Sequence, residues 1–149
     1  MANVLDIVKN EEYNVHDENE LWSILYELYD KGYIDIIVEL VISSEFDTNK
    51  YNKFINRIAE ILNALPQYIL ANNPATGVID LEFVIKIFES PNDMVNKINT
   101  IWDEFRKYFN EEDSIYFVVV PDKLSDQELW HNIEEIVERL AWFGYPISV

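Results

Sequence analysis

The sequence predicts an α+β fold, and two periodicities in its apolar residues carry that prediction. Residues 33–42 and 78–88 carry an apolar side chain at every second position and polar residues only between them, which is the period of a strand with one buried face. Other segments repeat apolar residues every three or four positions, which is the period of an amphipathic helix. These predicted helices cover residues 17–31, 47–65, 90–109 and 125–142.

The first helix and first strand follow from local signals. Asp17 with Glu20 three residues later is a pattern that begins helices, and Gly32 ends the helix. Residues 33–42 are ambiguous, because their polar residues also fall four apart, as they do on a helix. Their density of β-branched side chains, which prefer extended backbone, favours a strand.

The middle of the chain supplies two further short strands. Residues 67–71 are interpreted as a short strand, and residues 115–120 are apolar on both faces, which predicts a strand covered on both sides. Residues 72–77, rich in Asn, Pro and Gly, predict a turn. On the helix over 90–109, Trp102 falls among the inward apolar residues. Ser125 and Glu128 form a capping box that begins the last helix.

In order, residues 33–120 read β-α-β-β-α-β, which is the order of a ferredoxin-like sandwich. The predicted fold is therefore a single domain over residues 1–149. It comprises an N-terminal helix over 17–31, a βαββαβ core over 33–120 and a C-terminal helix over 125–142. The first and third strands are neighbours in that topology. We therefore expect a set of carboxylates on the sheet face away from the core helices: Asp35, Glu39, Asp80 and Glu82.

Charge is unevenly distributed along the chain. The net charge is −17, from 28 acidic and 11 basic residues. Residues 9–30 carry seven acids and one base, and residues 111–138 carry nine acids and one base, so these two flanks supply −6 − 8 = −14. Residues 31–110 are close to neutral. Acidic flanks attract a positively charged partner and repel nucleic acid.

Motifs that carry chemistry are absent from the sequence. There is no cysteine, and three isolated glycines exclude a phosphate-binding loop. The two histidines lack the spacing of a zinc pair. We therefore expect no catalytic, cofactor-binding or metal-binding residues, which favours a protein that is not an enzyme. Without a secretory signal or an 18-residue apolar run, it is expected to be cytoplasmic, with no membrane contact.

The leading hypothesis is a small acidic protein that binds a basic, nucleic-acid-binding partner protein. It would act as an inhibitor, an immunity protein or a nucleic-acid mimic, because carboxylates spaced along helices imitate rows of phosphates. The predicted partner-binding residues are the flank acids and one aromatic anchor. They are Glu11, Glu12, Asp17, Glu18, Glu20, Glu111, Glu112, Asp113, Asp126, Trp130, Glu134, Glu135 and Glu138.

Two other classes of function stay open from the sequence. The first is a small ferredoxin-like enzyme or ligand-binding regulator that uses the sheet-face carboxylates, with a divalent metal as an option. The second is a structural or assembly subunit whose acidity provides solubility. A homodimer also stays open for each of the three hypotheses.

Overall fold

The structure is a computed structural model that describes residues 3–14, 17–42, 47–62, 67–70, 79–85, 88–122 and 124–149, with the backbone alone at 67–70 and 79–85. The helices are α1 (Val4–Lys9), α2 (Glu18–Asp30), α3 (Thr48–Leu62), α4 (Pro91–Tyr108) and α5 (Gln127–Trp142). The strands are β1 (Ile34–Ile42), β2 (Gln67–Leu70), β3 (Ile79–Ile85), β4 (Ser114–Pro121) and β5 (Ile147–Ser148). The α+β class predicted from the sequence is confirmed.

The strands form one sheet in the order β2-β3-β1-β4-β5. The central strand β1 pairs antiparallel with β3 on one side and with β4 on the other. At the two edges, β2 pairs antiparallel with β3, and β5 pairs parallel with β4. The register places Val38 opposite Phe117 and Glu39 opposite Tyr116, so apolar and polar positions stay in step across these strands.

Helices cover one face of this sheet. On β1, the even-numbered residues Ile34 to Ile42 are buried and the odd-numbered ones keep partial exposure. Strand β4 shows the same alternation, with Ile115, Phe117 and Val119 buried. The buried face packs under α2 and α4, which contact each other, and α3, α1 and α5 extend this helical layer. The buried residues form one hydrophobic core.

Side-chain caps set the helix starts. Asp17 accepts hydrogen bonds from the backbone N–H groups of Asn19 and Glu20, and Ser90 accepts one from Asp93. On α5 the cap is Asp126, one residue after the predicted Ser125. Such caps satisfy the N–H groups that the first helical turn leaves without partners.

Several expectations differ from the structure. Strand β4 is not covered on both sides, since Tyr116 on its second face is 46% exposed. Trp102 is only half-buried and lies beneath the Arg106 guanidinium, 4.9 Å from the ring centre. The short elements α1 and β5 were not predicted, because six and two residues are too few to show a period. The predicted turn at 72–77 lies outside the described residues.

Candidate acidic interaction surface

Helix α5 presents one solvent-facing arc, which we call the α5 outer face. At 100° per residue its members span an arc of about 140°, and the core residues of the helix occupy the opposite side. The α5 outer face consists of Gln127, Glu128, His131, Glu134, Glu135, Glu138, Ala141 and Trp142, all exposed or half-buried. Four of these eight residues are acidic and none is Lys or Arg, so the face is strongly negative.

Helix α1 and the turn after it bring the N-terminal acidic flank against α5. The Tyr13 hydroxyl donates a 3.1 Å hydrogen bond to Oε2 of Glu135, and Nδ2 of Asn132 donates a 2.9 Å bond to the Val8 carbonyl. Burial, together with the Glu135 charge, raises the pKa of Tyr13 to about 12. Tyr13 is therefore a protonated donor at neutral pH, and it holds the two segments together.

Glu11 sits in this connection in a strained backbone conformation. Its φ is +55°, and the N–H groups of Glu11 and Glu12 bond back to the Val8 and Ile7 carbonyls. Glycine is the usual residue at this position after a helix, because other residues are strained there. The geometry leaves Glu11 and Glu12 exposed, and Glu11 lines a polar groove together with Glu128 and the basic Lys9.

The exposed tryptophan is Trp142 rather than Trp130. Trp130, the predicted aromatic anchor, is half-buried and packs against the core, whereas Trp142 is 72% exposed at the C-terminal end of the α5 outer face. The Arg139 guanidinium lies 5.9 Å from the Trp142 ring centre and also pairs with Glu135 at 3.3 Å. The signal that identifies Trp142 is its phase, because it continues the Glu128–Glu135 row at seven-residue spacing.

Most of the ion pairs in the described part of the chain lie away from the α5 outer face. Lys31 pairs with Glu27, Lys97 with Asp93, and Lys107 with Glu104. Arg57 of α3 pairs with Glu60 and reaches Glu104 across the α3–α4 contact. Among the described residues, the ion pair that involves the α5 outer face joins its Glu135 to Arg139, which lies beside the face on the same helix. The remaining carboxylates on this face keep their charge available to a partner.

Other predicted site residues have structural roles. Asp17 and Asp126 cap helices, and Glu18 accepts a hydrogen bond from the Tyr145 hydroxyl. Asp113 is 2% exposed and accepts a bond from the Asn110 N–H, so it is not part of the surface. Some of the acidic residues in the two flanks are therefore explained by the helix caps and hydrogen bonds that they form within the fold.

Three predicted acids lie elsewhere on the molecule. Glu111 and Glu112 are exposed in the turn before β4, and the adjacent Asp113 lines a small pocket with Lys50 near the start of α3. Glu20 lines a groove between α1 and α2. The structure thus brings Glu11 near Glu128 and Glu135, with Glu12 next to it in the turn after α1, but does not bring the whole predicted set together. We call these residues, together with the other acids and the tryptophan of the α5 outer face, the acidic surface: Glu11, Glu12, Glu128, Glu134, Glu135, Glu138 and Trp142.

The β1–β3 register brings some of the sheet-face carboxylates next to each other in the backbone and leaves Asp35 apart from them. Asp35 and Glu39 are four residues apart on β1, which separates their Cα atoms by about 13 Å in an extended strand. Glu39 lies opposite Glu82 in the β1–β3 register, and Asp80 opposite Val41, but the side chains of Asp80 and Glu82 are outside the described set. Among the described side chains, no group of three His, Cys, Asp or Glu residues is placed to hold a metal ion.

Comparison with known proteins gives no assignment. No protein-family model, curated protein or solved structure matches the chain. Within the described ranges, none of the helices combines the length and apolarity needed to cross a lipid bilayer.

Proposed function

We propose that this chain is a small acidic binding protein that engages a basic protein partner through the acidic surface, without being an enzyme. The partner class is a nucleic-acid-binding or nucleic-acid-processing protein, and the acidic surface occupies its cationic groove as an inhibitor, immunity protein or nucleic-acid mimic. The proposed place of action is the cytoplasm, where a chain without cysteine needs no oxidising environment.

One observation carries this proposal: the packing of α1 on α5 joins acids from both charged flanks. The hydrogen bonds from Tyr13 to Glu135 and from Asn132 to Val8 link positions 122 and 124 residues apart. Acids that only provided solubility would not need to converge. Glu11 keeps its place in this surface despite the strained φ of +55°, where glycine is the relaxed choice.

The geometry suits a row of cationic side chains. Along the axis of α5, Glu128 lies about 9 Å before Glu134, and Glu134 lies about 6 Å before Glu138, so the row spans about 15 Å. Each partner Lys or Arg that pairs with this row is withheld from a phosphate. At the end of the row, the exposed Trp142 provides an aromatic face for apolar contact or for a partner guanidinium.

We also propose that the β1-α3-β2-β3-α4-β4 core is a ferredoxin-like sandwich. The strand order β2-β3-β1-β4 and the antiparallel pairing of each neighbour in it support this assignment. Helices α1, α2 and α5 and strand β5 are then additions to the sandwich, and α1 with α5 carries the acidic surface.

The test is a comparison of two double charge reversals. Glu134→Lys with Glu138→Lys changes the charge of the acidic surface by four units and spares Glu135, which holds Tyr13. Glu89→Lys with Asp103→Lys changes the charge equally at exposed positions near and on α4. Glu104 is unsuitable as a control, because it is 7% exposed and pairs with Arg57.

Parent and variants are used to capture basic proteins, and the association rate and affinity for the captured partner are then measured at about 50 and 200 mM salt. The proposal expects the acidic-surface variant to associate at least about tenfold more slowly and with a weaker salt dependence, because charge steering is lost. The α4 control is expected to bind like the parent. Equal binding by both variants would reduce the acidic surface to a solubilising role and reject the proposal.

A further inference from the structure

A second surface, the α1–α2 groove, lies apart from the acidic surface. Val4 and Ile7 of α1 and Ile24 of α2 form its apolar floor, and Glu20, Glu27 and Lys31 of α2 line its rim. Its volume of about 490 Å³ falls within the range of binding clefts. The rim charges stand in a row along α2, so the groove is apolar at the bottom and charged along one side.

The dimensions of the groove match a helix better than a small molecule. Glu20 and Lys31 are eleven residues apart on α2, which is about 16 Å or three helical turns. Glu20 and Glu27 are two turns apart, with Ile24 between them on the same stripe. A small-molecule site needs polar groups that converge on one point. An amphipathic helix instead lays a row of apolar residues into an elongated groove, and its flanking charges can pair with charges along the rim.

The charges of the rim decide which helix fits. Two carboxylates require basic residues about two turns apart on the occupant, with apolar residues between them. Lys31 lies 3.6 Å from Glu27, but both side chains are about half exposed, so this pair is weak and can be exchanged for new partners. A second copy of this chain is a poor occupant, because two bodies of charge −17 repel.

We propose that the α1–α2 groove binds an amphipathic helix of the partner. That helix carries Lys or Arg facing Glu20 and Glu27, apolar residues over Val4, Ile7 and Ile24, and an acidic residue facing Lys31. The inference rests on the proposed function for the basic character of the partner, and it adds the partner's secondary structure and residue order.

The test uses a synthetic helical peptide with Leu at every third or fourth position. Its length of about 14 residues covers the three turns of the groove. Its two Lys are placed to face Glu20 and Glu27, and one Glu to face Lys31. Fluorescence anisotropy measures its affinity at about 150 mM salt, where long-range attraction to the acidic chain is screened. The Glu20→Lys, Glu27→Lys variant is expected to bind at least about tenfold more weakly.

A charge-swapped peptide provides the decisive control. With both Lys replaced by Glu, the peptide is expected to bind the Glu20→Lys, Glu27→Lys variant and not the parent. General attraction to an acidic protein cannot produce this rescue, because the swapped peptide is itself acidic. Thermal melts of each variant confirm that the fold is retained, and Glu89→Lys with Asp103→Lys serves as the matched control with the same change in charge.

The outcomes separate this inference from the proposed function. The inference is overturned if the first peptide does not bind the parent, if the control loses as much affinity as the groove variant, or if the swapped peptide gives no rescue. The Glu134→Lys, Glu138→Lys variant is expected to keep peptide binding. If that variant alone loses the natural partner while the groove variants keep it, the proposed function stands and the groove assignment fails.

Discussion

The phenol of Tyr13 and the carboxylate of Glu135 are 122 positions apart in sequence, and a hydrogen bond of 3.1 Å joins them. Tyr13 is buried, whereas Glu135 is half-buried and also pairs with Arg139. The bond therefore ties the turn after α1 to the middle of α5. It sets the position of Glu11 and Glu12 beside the α5 outer face.

Tyr13→Phe is expected to lower the free energy of unfolding by about 0.5–1.5 kcal/mol, which is the net value of one hydrogen bond. The Glu135 carboxylate can recover part of the loss, because it still reaches Arg139 and water. Urea denaturation measures the change. Tyr116→Phe, on the exposed sheet face, is the control and is expected to alter stability little.

Alkaline pH is expected to destabilise the fold between about pH 10 and 12. Burial raises the pKa of both Tyr13 and Tyr29 to about 12, from an ordinary value near 10. Below pH 10 both phenols are protonated in the folded and unfolded chains, and the stabilisation is fully present. Between the two values the unfolded chain loses these protons first, so the free energy of unfolding falls as the pH rises.

Urea denaturation at several pH values measures this fall. In a Tyr13→Phe, Tyr29→Phe double variant the slope is expected to be shallower than in the parent. An identical slope in both proteins would mean that these two phenols do not control the alkaline transition.

Phe105→Ala is expected to cost about 3–5 kcal/mol, the range for removing a large buried ring. Phe105 is fully buried, stacks on Phe109 at 4.9 Å and meets Phe54 edge-on at 5.8 Å. Trp102→Ala, on the same helix, is expected to cost less because Trp102 is only half-buried and lies beneath Arg106. A larger loss for Trp102 than for Phe105 in thermal melts would contradict the observed packing of α4.

Glu11→Gly is expected to raise the free energy of unfolding by up to about 1 kcal/mol. Glycine relieves the strain at φ +55°, although it also adds freedom to the unfolded chain. The same substitution is expected to weaken partner binding, because it removes a carboxylate from the acidic surface. A variant that gains stability and keeps full affinity would show that the Glu11 charge has no part in binding.

Glu138→Lys is expected to stabilise the isolated protein by about 0.5 kcal/mol at low salt, because it replaces a repulsive Glu134–Glu138 pair with an attractive one at i, i+4. Asp103→Lys is a control that is expected to lower stability, since it places a second positive charge four residues before Lys107. Both effects are expected to shrink in about 1 M salt, where charges are screened. Equal melting temperatures for all three proteins at low salt would show that these pairs do not contribute.

The sequence by itself determined the longer helices and the strand whose apolar residues recur at a regular spacing. The apolar stripes on α2, α3, α4 and α5 and the alternation on β1 predicted the α+β class, because one buried face imposes its period on the residues that form it. The bias of charge toward the two flanks was also visible from the sequence. Short elements such as α1 and β5 were not, since contacts with α5 and β4 determine them.

The tertiary structure decided which acids act together. Local sequence does not distinguish Asp17 and Asp126, which cap helices, from Glu134 and Glu138, which face solvent. It also did not place Asp113 in the interior, and the seven-residue spacing that marks Trp142 became decisive only once Trp130 was seen to pack against the core. These roles depend on contacts between residues far apart in the chain, as between Tyr13 and Glu135, and only the packed fold brings such residues together.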